Sequence, residues 1–139
     1  MKTKFSKSWK ASKQPRKQRK YIANAPLHIK HKFLAAHLSK DLIKKHKRRS
    51  LPVRKGDTVK IVRGQFKKKV GKIEKVLTKK TRVHIENIQN IKKDGSKTFI
   101  PIHPSNLIIT DLNLEDKERQ KILKQNIKIV ENKKWVKDH

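Results

Sequence analysis

The sequence predicts a mainly β protein, in which a small closed barrel follows a basic N-terminal extension with short helices and precedes a C-terminal helix. Of the 59 residues from Val53 to Asp111, 19 are Val, Ile, Leu or Phe, and 15 of these are the β-branched Val and Ile, which favour strands. Residues 1–50, by contrast, hold 17 basic residues and one acidic residue. The predicted parts of the 139-residue chain are an extension at 1–52, a barrel at 53–111, and a helix and tail at 112–139.

The N-terminal extension is too polar to fold alone. Its first 50 residues carry a charge of +16 and few apolar side chains, so we expect its order to come from a surface that it binds. Pro26 suits the first turn of a helix. Ser39 is a candidate N-cap, with Asp41 in the first turn behind it. Short helices are therefore predicted at both places.

The barrel is predicted to contain five strands. Val59 and Ile61 alternate with polar neighbours, so one face of the sheet should be buried. Pro101 cannot donate a ladder hydrogen bond, so its strand should lie at an edge or carry a bulge. Several short strands in so short a stretch favour closure, because closure removes exposed sheet edges. The candidate strands are Thr58–Arg63, Gly71–Leu77, Thr81–Ile88, Lys97–Ile102 and Leu107–Thr110.

A helix is predicted after the barrel. The acidic residues Glu115, Asp116 and Glu118 come before the basic residues Arg119 and Lys121. Acidic residues near the start and basic residues near the end suit the helix dipole. The remaining residues show no strong period and are assigned to a tail.

Composition excludes several classes of function. The chain carries 40 Lys and Arg against 11 Asp and Glu, for a net charge of +29 and a pI near 10.7, so self-repulsion opposes folding unless a polyanion binds. Cysteine is absent, which excludes disulfides, zinc–thiolate sites and thiol nucleophiles. No apolar run approaches the ~18 residues of a spanning helix, so no membrane association is expected. The carboxylates form no visible pair, so we expect neither an enzyme nor a cofactor.

Two histidines have a spacing that metal ligands also use. His28 and His31 lie three residues apart in a predicted helix. No carboxylate or thiolate completes a site nearby, and Lys30 and Lys32 would repel a cation. A metal site is therefore not expected, and the two histidines are better candidates for phosphate or ribose contacts.

A run of three lysines is the first candidate for binding a polyanion. Lys67, Lys68 and Lys69 lie between two glycines, where three ammonium groups can meet successive phosphates at a hairpin tip. The alternative is that this run only faces solvent. The net charge favours nucleic acid, because each neutralised phosphate releases counterions. Trp9 lies in the basic arm, where an aromatic face can stack on an unpaired base. Packing against the barrel and disorder are the alternatives for this ring.

The segment from Val53 to Val76 resembles a KOW motif, which is a strand, a glycine-anchored loop and a second strand found in ribosomal proteins and NusG-type transcription factors. This resemblance implies an SH3-like barrel. Glycine suits its turns because they need positive φ or a close backbone approach. The residues that carry the resemblance are Gly56-Asp57, Gly64, and Gly71 followed by Ile73.

The flanking segments make the resemblance closer. With the motif, they are similar to the archaeal and eukaryotic branch of the universal large-subunit ribosomal protein twenty-four family, called L twenty-six in eukaryotic naming. The resemblance implies a structural protein that binds large-subunit ribosomal RNA near the mouth of the nascent-chain tunnel, with an early role in subunit assembly. The similar segments are Asn24-Ala25-Pro26, His28-Ile29, Leu38-Ser39-Lys40, Arg49 to Lys55, Ile102 to Asn106, and Asp116 to Leu123.

The sequence departs from the family's pattern in two places. The family usually has a second glycine, after a lysine, inside the motif's loop, and Lys68 occupies that place here. With lysine in this place, we expect the loop to contact its partner through a charged side chain instead of through a closely approaching backbone. Eukaryotic relatives often carry a longer basic tail than this chain, so contacts made by that tail are not carried over.

The predicted RNA-binding residues are mostly basic and are spread over the extension and the barrel. Their cations are expected to meet phosphates, His28 and His31 are candidates for phosphate or ribose contacts, and Trp9 is expected to stack on a base. Gly56, Gly64 and Gly71 are predicted to be structural turn glycines. The RNA-binding candidates are Trp9, Arg16, Lys17, Arg19, Lys20, His28, Lys30, His31, Lys32, Arg48, Arg49, Arg54, Lys67, Lys68, Lys69, Lys79, Lys80, Arg82, His103 and Ser105.

The expected partners are large-subunit ribosomal RNA, neighbouring ribosomal proteins and, as an open possibility, factors that act at the tunnel exit. No homo-oligomer is expected. The expected location is the cytoplasmic ribosome, with the nucleus and nucleolus during assembly if the source is eukaryotic; the run from Lys44 to Arg49 fits an RNA clamp, an import signal, or both. The alternative function is a KOW-containing transcription or chromatin factor that binds protein or nucleic acid.

Overall fold

The computed structural model describes residues 5–9 and 11–125. The helices are α1 at Pro15–Asn24, α2 at Leu27–Phe33, α3 at Lys40–His46 and α4, whose described part covers 117–125. The strands are β1 at Ala35–Leu38, β2 at Ser50–Pro52, β3 at Thr58–Ile61, β4 at Val70–Leu77, β5 at Arg82–Ile85, β6 at Gln89–Ile91, β7 at Lys97–Phe99 and β8 at Leu107–Asp111. Short 3-10 turns lie at Thr78–Lys80 and Pro104–Asn106.

The main sheet has six strands in the order β2-β1-β8-β3-β4-β5. All of its pairs are antiparallel except β1 with β8. Val83 of β5 and Ile102 exchange two backbone hydrogen bonds, with N to O distances of 2.9 and 3.0 Å. The 3-10 turn that follows leads directly into β8, so the sheet curves back on itself as a barrel. The mainly β class predicted from the sequence is confirmed.

The core fills the inside of this barrel. Val59, Ile61, Val83 and Ile85 are each at most 1% exposed, so the predicted alternation along the strands is confirmed. Their neighbours on the other face are half-buried or exposed. Burying β-branched side chains from facing strands in one cluster is the main favourable contribution to folding in a chain with so few apolar residues.

Three of the predicted strands are shorter than expected. Thr58–Arg63 ends at Ile61, Thr81–Ile88 is reduced to β5, and Lys97–Ile102 stops at Phe99. Asn87, with φ of 62°, turns the chain after β5, and Pro101 cannot donate to a ladder. The sequence also did not predict β6, which pairs with β7 as a separate two-stranded ribbon.

The strands β1 and β2 are the largest difference from the sequence-based interpretation, which expected only helices before residue 53. β1 pairs with β2 on one side and with β8 on the other. Leu34, Ala36, Leu38 and Leu51 are at most 3% exposed and belong to the barrel's core. The strands β1 and β2 therefore obtain their order by packing in the barrel. The division of the chain at residue 52 into an RNA-binding extension and a barrel stays a prediction.

The helix α3 begins as predicted. The Ser39 hydroxyl accepts a hydrogen bond from the Leu42 N–H at 3.4 Å, and Asp41 lies in the first turn. The helix ends at His46, and the next residue, Lys47, has a left-handed φ of 50°. The capping serine satisfies one of the free N–H groups at the helix start.

The helix α4 is fastened to the barrel by a buried ion pair. Arg119 donates to both carboxylate oxygens of Asp57, at 2.6 and 2.7 Å, and these residues are 3% and 0% exposed. Asp57 also accepts from the N–H groups of Arg54 and Asn113, both at 2.9 Å. Four hydrogen bonds therefore satisfy this buried carboxylate. Asp57 comes directly after Gly56, whose φ is +89°.

The N-terminal arm lies against α1 and α2 through aromatic rings. The ring centroid of Tyr21 lies 4.9 Å from that of Phe5, 5.8 Å from that of Trp9 and 6.1 Å from that of Phe33. No residue of α1 is buried, so this cluster sits outside the main core.

None of the described helices is long and apolar enough to cross a membrane.

Gly64 and Gly71 are required for different reasons. Gly64 has a φ of +90°, and no atom lies within 4 Å of the place where a Cβ would be. Gly71 lies inside β4 and not in a turn, which corrects the prediction. A Cβ on Gly71 would lie 2.8 Å from Ile85 Cγ2 and 2.9 Å from the Glu86 carbonyl oxygen. Gly71 therefore permits the close approach of β4 and β5.

We expect Gly71→Ala to destabilise the protein more than Gly64→Ala. The new methyl at position 71 must displace backbone atoms, which costs about 3 kcal/mol, whereas alanine at position 64 only strains a left-handed residue by about 1 kcal/mol. Urea denaturation followed by circular dichroism measures both. A larger loss for Gly64→Ala would show that the conformation of the loop matters more than the strand contact.

Candidate nucleic-acid interface

The three-lysine run lies in a compact loop between β3 and β4. Lys68 donates its N–H to the Ile61 carbonyl at 2.8 Å, and the Lys69 carbonyl accepts from the Ile61 N–H at 2.9 Å, so backbone hydrogen bonds fix the loop's shape. All three lysines are exposed. Lys68 has a φ of 74°, which is the conformation that glycine adopts most easily. Its position in the motif therefore keeps a glycine-like backbone and adds a charge.

A groove of about 360 Å³ lies beside this loop. It is formed by the β3–β4 loop, β5 and the segment before the second 3-10 turn, and it brings the predicted residues Arg82 and His103 together. The Nδ1 of His103 accepts a hydrogen bond from the Ser105 N–H at 3.1 Å. Burial, and then the charge of Arg82, lowers the pKa of His103. Because Nδ1 accepts from the Ser105 N–H, the neutral form of this ring carries its proton on Nε2.

A second and larger groove, of about 1020 Å³, lies between α2 and the segment after β8. His31 and Arg54 line it with Glu74, Glu115 and Asp116. Arg54 forms an ion pair with Asp116. The charges in this groove are mixed, so Arg54 is a weaker phosphate-binding candidate than the sequence suggested.

The helices α1 and α2 carry most of the predicted N-terminal cations. On α1, all four predicted basic residues are exposed. On α2, His28, His31 and Lys32 are exposed, while Lys30 is half-buried and donates to the Ala23 carbonyl at 3.2 Å. The helix α2 lies against the 3-10 turn at Thr78–Lys80, so the predicted Lys79 and Lys80 belong to the same side of the molecule. The exposed residues on α1 are Arg16, Lys17, Arg19 and Lys20.

The remaining predicted residues lie apart from these two groups. Arg48 is half-buried and donates through Nε to the Ser50 carbonyl at 2.8 Å, whereas Arg49 is exposed. The Trp9 ring packs beside Tyr21 of α1, and its stacking on a base stays a prediction.

Sequence reasoning missed several residues that the fold places beside the predicted ones. Arg63, Phe66 and Asn106 line the groove with Arg82 and His103. Two features of the sequence could have indicated them. Arg63 and Phe66 lie just before the three-lysine run, and Asn106 ends the segment from Ile102 that resembles the ribosomal protein family. The ribbon of β6 and β7 adds three exposed lysines that were not selected, namely Lys92, Lys93 and Lys97.

Two findings concern the acidic residues and histidines of the described chain. Within it, no group of three His, Asp or Glu side chains is placed to hold a metal ion. The buried carboxylate Asp57 is paired with Arg119, which is a structural role.

The fold and the surface together define a small, strongly basic, mainly β protein with its cations exposed around the barrel. The family model of the eukaryotic L26 and archaeal L24 ribosomal proteins matches residues 12–126. The large ribosomal subunit protein uL24 of Methanosphaera stadtmanae is 50% identical over 116 residues, which cover 84% of this chain and 99% of the relative. This chain belongs to that ribosomal protein family, as its resemblance predicted, and is a structural protein rather than an enzyme.

Proposed function

We propose that this protein is a structural constituent of the large ribosomal subunit that binds large-subunit ribosomal RNA through its exposed cations. One observation carries the proposal. Within the described residues only Arg54, Arg119 and Lys121 form ion pairs with carboxylates, although the whole chain has 40 Lys and Arg. The other described cations have no ion-pair partner among the described residues, so a polyanion is the partner that relieves their repulsion.

The finer parts of the proposal depend on family membership. They are a position near the mouth of the nascent-chain tunnel, an early role in subunit assembly, contacts with neighbouring ribosomal proteins and contacts with factors at the tunnel exit. The proposed location is the cytoplasmic ribosome, and in a eukaryotic source also the nucleolus during assembly. The match over residues 12–126 reaches well beyond the motif, which favours this function over a transcription or chromatin factor.

Co-sedimentation tests the proposal directly. The protein should migrate with the large subunit in a sucrose gradient and remain with it after a salt wash. A protein found only in the unbound fractions would contradict the proposed function.

The lysine loop should contribute to the salt dependence of RNA binding. If about ten phosphates are neutralised, the plot of log K against log salt concentration should have a slope of about −7 to −9. Replacing Lys67, Lys68 and Lys69 with alanine should make this slope shallower by about one unit for each real contact. Filter binding to a large-subunit RNA fragment at several salt concentrations gives the slopes.

Three exposed lysines on α4 supply a matched control, since changing Lys117, Lys121 and Lys124 to alanine removes the same charge elsewhere. This variant should keep the original slope to within about one unit. An unchanged slope in the loop variant would remove the loop from the interface.

A further inference from the structure

The groove beside the lysine loop combines an apolar wall with cations. Phe66, Ile100 and Ile102 line one part of it and pack partly against the core, and the Lys69 Nζ lies 5.1 Å from the centroid of the Phe66 ring. Arg63 and Arg82 lie at the same groove. A wall and a pair of guanidinium groups at one concave site match a ligand that has both a flat apolar part and a negative charge.

The two arginines are available to an anion. Neither has a carboxylate partner among the residues that the structure describes. Arg82 uses one Nη1 hydrogen bond, to the Thr81 carbonyl at 3.0 Å, and the rest of its guanidinium is free to donate. Guanidinium groups bind phosphate in a bidentate manner, so these two side chains suit a phosphate better than an isolated ammonium would.

The groove also holds two neutral polar groups. With its Nδ1 engaged by the Ser105 N–H, His103 presents Nε2–H as a donor. The Asn106 side chain lines the same groove, and an amide offers both a donor and an acceptor. The edge of a nucleobase carries the complementary groups.

We propose that this groove binds one unpaired nucleotide of an RNA, with its base against the apolar wall and its phosphate at the two arginines. The inference deepens the proposed RNA-binding function and rests on it. The volume of about 360 Å³ lies within the ~300–1,000 Å³ typical of small-molecule sites. An acidic peptide would use the arginines but leave the apolar wall without a partner, so the nucleotide accounts for more of the groove.

The test compares two RNA hairpins of equal charge that bind the full chain. Both hairpins have the same loop; the stem of one is fully paired, and the stem of the other presents a single bulged 2-aminopurine whose fluorescence reports stacking. Base–aromatic contacts are worth about 1–3 kcal/mol, so we expect the bulged hairpin to bind about tenfold more tightly. Phe66→Leu should reduce this preference to about twofold, and Arg82→Gln should reduce it similarly without touching the core.

Lys124→Gln is the matched control, because it removes one exposed charge from α4 and no described residue of α4 lines the groove. It should keep the tenfold preference and the change in 2-aminopurine fluorescence. Equal binding of both hairpins by the unaltered protein would overturn the nucleotide site while leaving RNA binding intact. Binding of neither hairpin would overturn the RNA-binding function and, with it, the site. A preference that survives in both groove variants would place the unpaired base elsewhere and overturn the site.

Discussion

Replacing Arg119 with methionine is expected to lower the free energy of unfolding by about 3–5 kcal/mol, because it leaves a buried carboxylate without its cation. Asp57 is 0% exposed and would keep only its two backbone N–H donors. The same change releases α4, since the Arg119 guanidinium also donates to the carbonyls of Pro52 and Asn113. Urea denaturation followed by circular dichroism measures the loss.

Arg54→Met is the matched control for this prediction. It removes an arginine side chain from the ion pair between Arg54 and Asp116. These two side chains are 53% and 32% exposed, respectively. An exposed pair contributes at most about 1 kcal/mol. Equal losses in the two variants would show that burial does not set the strength of these pairs. In addition, Asp57→Leu combined with Arg119→Met should cost less than the sum of the single changes.

Deleting residues 1–22 is expected to weaken RNA binding by several kcal/mol at low salt while changing the melting temperature little. The deleted segment holds nine Lys and Arg and no acidic residue, and losing several phosphate contacts together has an effect of this size. None of its described residues belongs to the core. Affinity for a large-subunit RNA fragment and thermal melting measure the two effects.

Deleting residues 1–52 serves as the comparison and should unfold the barrel. It removes β1, which covers one edge of β8, and it takes Leu34, Leu38 and Leu51 out of the core. If deletion of 1–22 also unfolded the barrel, the arm would be part of the folding unit. If it left the affinity unchanged, the arm would not belong to the RNA interface.

The part of the fold that the sequence predicted is the part with a clear local pattern. Val59 and Ile61 alternate with polar residues, and Val83 and Ile85 do the same, so their strands and buried faces were predictable. β1 was not predicted because Ala35 to Leu38 has no β-branched residue and becomes a strand only by pairing with β8. Strand preference depends strongly on such tertiary pairing.

The candidate interface was predictable to a similar degree. The lysine loop could be found because charge and glycines occur together in one short segment. The groove beside it could not, because its residues come from the β3–β4 loop, from β5 and from the segment around residue 103, which meet only in the folded chain. The role of Gly71 was also out of reach, since nothing in the sequence indicates how closely β4 approaches the turn at Glu86.

The parallel pairing of β1 with β8 has a consequence for how the chain folds during synthesis. His37 and Leu38 pair with Ile108 and Ile109. The first strand to be made, β1, can therefore pair with β8 only after the last of the described strands has been synthesised. Contacts of such long sequence separation form late, because their loop closure must be offset before they add stability. Until residue 109 emerges, the sheet lacks its central strand, and the most basic third of the chain has no finished barrel to dock on. The growing chain therefore presents its most basic third to polyanions before its fold is complete.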